Sequence, residues 1–212
     1  MQKLLFLFVA FFTLSASALD LQKLNLINPE EPDAEGVKKS IQVEIKLEDE
    51  DILHAHFDVV SPVNYTKNEF SEDGGPYEAD VVEIFVAPEL ENGEVRTYYE
   101  FEVSPLDQTL VVKITVDDNG RKHFTNNYKT SFTHSVTQNE DPKGWSADLY
   151  IPLKELGWKG DVSTVIGNNF SILGKRQLLN SGRRLNRHYW SSFLPQQEKP
   201  NFHKTEYFKR LL

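Results

Sequence analysis

With 212 residues the chain can bury one sizeable core, and a formal charge of −9 without a basic run disfavours nucleic acid and anionic membrane surfaces as partners. It has no cysteine, which excludes disulfides, thiol nucleophiles and thiolate metal sites. A neutral ligand suits this balance best.

The N-terminus reads as a secretory signal peptide over residues 1–18. Lys3 is its charged start, Leu4 to Leu14 its apolar run, and Ala16 to Ala18 its small-residue cleavage pattern. The mature chain is expected to begin near Leu19, one unit more negative after loss of Lys3. It would be exported, periplasmic or secreted, with no membrane insertion. Residues 19–39 read as an irregular arm, because Pro29 and Pro32 fix backbone angles and remove donors. The domain proper is expected over residues 40–212.

Ser40 to Leu47 alternates, with Ile41, Val43, Ile45 and Leu47 on one face. Past a charged turn, Ile52 to Val60 alternates again, and the two segments form a hairpin. His54 and His56 share its outer face. No third ligand is evident beside them, so no metal site is assigned. Ser61 to Tyr77 is a long loop carrying Tyr65, Phe70 and Tyr77, and is expected to face a ligand.

Two strands follow, Ala79 to Ala87 and Arg96 to Ser104, joined by a turn. Val82, Ile84, Val86, Tyr99, Phe101 and Val103 share an apolar face. Val81, Glu83, Phe85, Tyr98, Glu100 and Glu102 share the other. That second face mixes carboxylates with rings. Rings offer flat apolar area and carboxylates accept hydrogen bonds from hydroxyls, a combination suited to a sugar.

Leu110 to Val116 is a further strand, with Leu110, Val112, Ile114 and Val116 expected inward. A turn and a polar connection precede a weaker strand, Phe132 to Gln138. Trp145 to Ile151 is next, with Trp145 in the core. Pro152 to Gly157 reads as one helical turn ended by glycine, and Trp158 is assigned to packing. Val162 to Leu173 is strand-rich. Lys175, Arg176, Arg183, Arg184 and Arg187 then form a local basic cluster, followed by Tyr189 and Trp190 and a tail. Many short one-sided strands with no long amphipathic helix predict an all-β antiparallel β-sandwich of jelly-roll or immunoglobulin-like type.

Five segments in order resemble a known family. They are Pro76–Pro88 (PYEADVVEIFVAP), Tyr98–Pro105 (YYEFEVSP), Gly144–Leu153 (GWSADLYIPL), Asn169–Arg176 (NFSILGKR) and Tyr189–Phe193 (YWSSF) with the tail from Pro200 to Phe208. Together they resemble carbohydrate-binding module family 9 domains and their stand-alone exported relatives, within the DOMON-like β-sandwich group. The resemblance implies sugar binding without catalysis on a concave sheet or its rim. In that family the sugar lies between two tryptophans; here Phe202 or His203 takes the place of the tail ring, and Tyr65, Phe70 and Tyr77 are the substitutes in the loop.

The candidate carbohydrate-binding residues are thus Tyr77, Glu83, Tyr98, Glu100, Arg176, Trp190, Phe202 and His203. Trp190 is a stacking platform in this reading, and the Arg176 fork reaches ring hydroxyls or a partner carboxylate. No cofactor is expected beyond calcium, which only the resemblance implies. Two other readings stay open: a glycoside hydrolase using Glu83 and Glu100, and an envelope protein-interaction role. Haem ligation by methionine is excluded from the mature chain, since Met1 leaves with the signal.

Overall fold

The structure, a computed structural model, describes residues 17–20, 22–23, 39–61, 64–72, 74–173, 177–178, 184–185, 188–195 and 201–212. In chain order the strands are β1 (Ser17–Asp20), β2 (Gln22–Lys23), β3 (Ser40–Glu48), β4 (Ile52–Val60), β5 (Val81–Ala87), β6 (Thr97–Val103), β7 (Thr109–Val116) and β8 (Lys122–Asn126). They continue with β9 (Thr133–Glu140), β10 (Lys143–Pro152), β11 (Ile166–Leu173), β12 (Gln177–Leu178), β13 (Arg184–Leu185), β14 (His188–Ser191) and β15 (Lys209–Arg210). Among the described residues no helix is long and apolar enough to cross a membrane.

Two antiparallel sheets form a sandwich. The first has the order β1-β3-β4-β10-β9; the second runs β2-β14-β11-β5-β6-β7-β8, with β15 pairing on β11. The expected first hairpin is β3–β4, closed at Asp49 and Glu50, whose φ values of 47° and 66° give the positive twist that a tight hairpin needs. β1 spans the boundary between the expected signal peptide and the expected arm and pairs with Gln42 to Ile45, while β2, from the arm, pairs with β14.

Alternation decides what each face buries. Ile41, Val43, Phe57, Trp145 and Leu149 from the first sheet meet Val82, Ile84 and Phe101 from the second in the central core. At ~25 cal/mol per Å² of apolar area, this layer is the main source of stability. The helical turn appears as a 3-10 turn over Leu153–Leu156, ended by Gly157 at φ 97°.

The second sheet buries its outer face as well. Phe85, Tyr98, Val112, Ile114, Phe170 and Phe208 form a second apolar cluster there, under the C-terminal tail. The tail is held by β15 against Ile166 and Gly167, and by Leu211 N–H donating to the Val165 carbonyl at 3.0 Å. Gly167 is required at this seam, because a Cβ there would sit 1.9 Å from the Phe85 carbonyl oxygen.

Two expectations are corrected here. Leu110, Val112 and Ile114 share a face as expected, but they turn outward beneath the tail, and Val111 faces the other sheet. The polar connection contains β8, an edge strand whose residues are mostly exposed.

Candidate functional site

The mixed face of β5 and β6 forms the floor of a pocket of about 460 Å³. Register brings its carboxyls together. Glu83 lies directly opposite Glu102, while Glu100 pairs with Phe85, so Glu100 is the diagonal neighbour of Glu83. Glu83, Glu100 and Glu102 are all buried, and one carboxyl oxygen from each lies within 4.8 Å of the others. Like charges directly opposite on a sheet repel, and burial removes the water that would screen them.

The protonation pattern follows. Burial pushes the Glu100 carboxyl up to about 7, against a hydrogen bond with Glu102 that lowers it. Burial pushes Glu102 well above the usual range, and the charges of Glu83 and Glu100 push it further. At neutral pH Glu102 therefore holds a proton, which it donates to Glu100. Glu102 Oε2 accepts the Tyr77 N–H at 3.1 Å. The floor thus offers acceptors, and a donor as well when Glu100, raised to about 7, is protonated too.

The walls are apolar and aromatic. Leu110, Val112 and Ile172 line the cleft from neighbouring strands, with Asn126 at its β8 side. Phe124, 52% exposed, forms the outer rim. Phe202 stacks on Phe170 at 4.2 Å and 17°, which fixes its ring in the wall. His203 accepts or donates at Nδ1 to the Tyr98 hydroxyl at 3.1 Å, and meets Phe85 and Phe124 edge-on at 5.3 and 5.1 Å. Burial, then the nearby Lys122 charge, lowers the His203 imidazole to about 4, so it is neutral at pH 7. Lys122 also donates to the His203 carbonyl at 2.6 Å, tying the tail to β8.

The loop before β5 closes the remaining side through Gly74 and Tyr77. It is pinned by Glu78, which Lys67 and Ser71 both contact, and by the Asp80 carboxylate accepting the Tyr65 N–H at 2.9 Å.

Of the residues expected from sequence, Tyr77, Glu83, Glu100, Phe202 and His203 line this one pocket. Tyr98 is fully buried beneath it and positions His203 instead of meeting a ligand. Trp190 is a correction. It pairs with Ser171, which pairs with Val82, and that row faces the other sheet. Trp190 is accordingly 3% exposed in the central core and is not a stacking platform for this pocket. Arg176 lies outside the described residues. Glu102, Phe124 and Asn126 belong to the pocket and were not singled out; alternation placed Glu102 on the right face, whereas Phe124 and Asn126 come from the unexpected strand.

The resemblance also implied calcium. Calcium takes six to eight oxygen ligands. Here three carboxyls converge, one already holds Tyr77 N–H, and apolar side chains occupy much of the remaining lining. That donor set falls short of a calcium shell.

No family model matches the chain, and no curated protein matches it. Solved structures do. A protein from Bacteroides uniformis with a provisional carbohydrate-binding description superposes with a TM-score of 0.57 at 18% identity, over 90% of this chain and 84% of that one. A carbohydrate-binding module of family 9 from Caldicellulosiruptor kristjanssonii was solved with cellotriose and with glucose. Those structures give TM-scores of 0.43 and 0.41 at 16% identity, covering 90% of this chain and 77% and 80% of those chains. The chain has the β-sandwich fold of the Bacteroides uniformis protein.

Proposed function

We propose that the chain binds a neutral saccharide, without turning it over, in the cleft above β5 to β8. One observation carries this reading: three buried carboxyls form the floor of an open pocket walled by Tyr77, Phe124, Phe202 and His203. Its volume of about 460 Å³ falls within the ~300–1,000 Å³ range of small-molecule sites. A protonated carboxyl donates to a sugar oxygen and an ionised one accepts from a hydroxyl. Flat rings cover the apolar face of a pyranose. The fold shared with the Bacteroides uniformis protein agrees with this reading.

The side-by-side arrangement of the carboxyls favours binding over hydrolysis. Glycosidases place two carboxyl groups on either side of the scissile bond. Here Glu83 and Glu100, with Glu102, each bring a carboxyl oxygen within 4.8 Å of the others on one floor, so they meet a single face of a ligand. The signal-like N-terminus supports an exported protein that meets its saccharide outside the cytoplasm.

The test is a glycan screen followed by calorimetry on the best ligand. Wild-type protein binds, and Glu100→Gln and Phe124→Ala each weaken binding. New reducing ends that vanish in Glu100→Gln would instead assign glycoside hydrolysis. Failure to bind any glycan would remove the reading.

A further inference from the structure

The opposite face of the sandwich carries a second cluster that the sugar reading does not use. His54 and His56 point outward from β4, two residues apart on one strand face. Asp148 on β10 pairs directly with His56, and Tyr150 pairs with His54. His54 Nε2 lies 2.7 Å from Asp148 Oδ1, and His56 Nδ1 lies 2.8 Å from the same oxygen. Two imidazole nitrogens and a carboxylate oxygen thus converge on one point.

We propose that His54, His56 and Asp148 form a binding site for a divalent transition-metal ion of the zinc class. Zinc bonds to imidazole nitrogen and carboxylate oxygen at about 2.0–2.2 Å, so three such donors lie a little over 3 Å apart around the ion. All three donor atoms already lie within 4.8 Å of one another. Small side-chain rotations separate them enough to admit the ion. Three protein ligands leave a position open toward solvent.

The surroundings of the rings support the assignment. Each histidine has a carboxylate at its far nitrogen too. Glu48 Oε1 is 3.1 Å from His54 Nδ1, and Asp58 Oδ2 faces His56 Nε2 at 3.4 Å. A proton displaced from the inner nitrogen can therefore be held at the outer one, which fixes the metal-binding tautomer. Tyr150 stacks on His54 at 4.4 Å and 18°, locking the ring plane. Lys46, opposite His54 on the neighbouring strand, is paired with Glu48 at 2.6 Å.

The experiment uses the untagged full chain, stripped with chelator, titrated with zinc and, separately, with cobalt. A single zinc ion per chain should bind, and cobalt should give the visible absorption of a low-symmetry nitrogen–oxygen site. His56→Ala, at a half-exposed position, and Asp148→Asn should each abolish both signals while near-ultraviolet dichroism stays native. Glu48→Gln should weaken zinc about 10–100-fold. Absence of zinc binding by wild-type protein overturns the proposal. So does full affinity in His56→Ala, or loss of binding in Glu102→Gln instead, which would move the ion to the cleft. Sugar binding is unaffected by any of these results, since the two sites occupy opposite faces.

Discussion

Glu83 faces Glu102 directly across the β5–β6 pair, and each is 1% exposed. Two carboxylates in that position repel unless a proton lies among them. A sheet evolved only for stability would gain by replacing either with a neutral residue. Both, together with Glu100, instead lie on the floor of an open cleft, where the proposed saccharide would give them polar partners.

Stability should therefore fall on the alkaline side. Glu100 and Glu102 are raised in the folded state, so their contribution is full below about pH 4.5 and is lost as pH rises through about 7 and beyond. His203 acts oppositely: it is depressed from 6.5 to about 4, so its contribution is lost as pH falls through that window. The two oppose each other below pH 6.5, and only the carboxyls act above it. Melting temperature should decline from about pH 6.5 to 8, and Glu100→Gln should recover about 3 kcal/mol at pH 8 from a shift between 4.5 and about 7. His203→Gln should extend the decline down toward pH 4.5.

Sugar affinity should follow the carboxyls and not the histidine. His203 stays neutral above about pH 4. Calorimetry between pH 5 and 8 should show an affinity change with a midpoint near 7, where Glu100 titrates. That midpoint should disappear in Glu100→Gln and persist in His203→Gln.

Phe124→Ala should separate binding from stability. The ring is 52% exposed and meets His203 edge-on at the rim. Losing one stacking face costs about 0.5–1.5 kcal/mol, or roughly 2- to 10-fold in affinity. Chemical denaturation should be unchanged within about 0.5 kcal/mol.

Trp190 should behave in the reverse way. It sits in the central core at 3% exposure. Trp190→Ala should destabilise the fold by about 3–5 kcal/mol, read by denaturant unfolding. Trp190→Phe should retain saccharide affinity, because the indole does not line the cleft.

Strict alternation in residues 81–87 and 97–103 made the carboxyl-bearing face legible in the sequence, with the three carboxyls that share it. The same alternation in Leu110 to Val116 gave the period without the sign. An apolar row can face the other sheet or an overlying tail, and only the packing of Phe202, His203 and Phe208 decides. The strand from Lys122 to Asn126 carries a single large apolar residue, Phe124, because an edge strand has little to bury. Trp190 was misread because a short strand next to a basic cluster carries no periodic signal, and its face is set by pairing with Ser171. Asp148, which completes the histidine pair, lies 92 residues from His56, beyond any local pattern.

The most direct measurement is calorimetric titration of a screened glycan into wild-type, Glu100→Gln and Phe124→Ala protein at pH 7. The account predicts saturable binding by wild type and a marked loss in both variants, with folding intact. Equal affinity in all three, or binding lost only through unfolding, would contradict it.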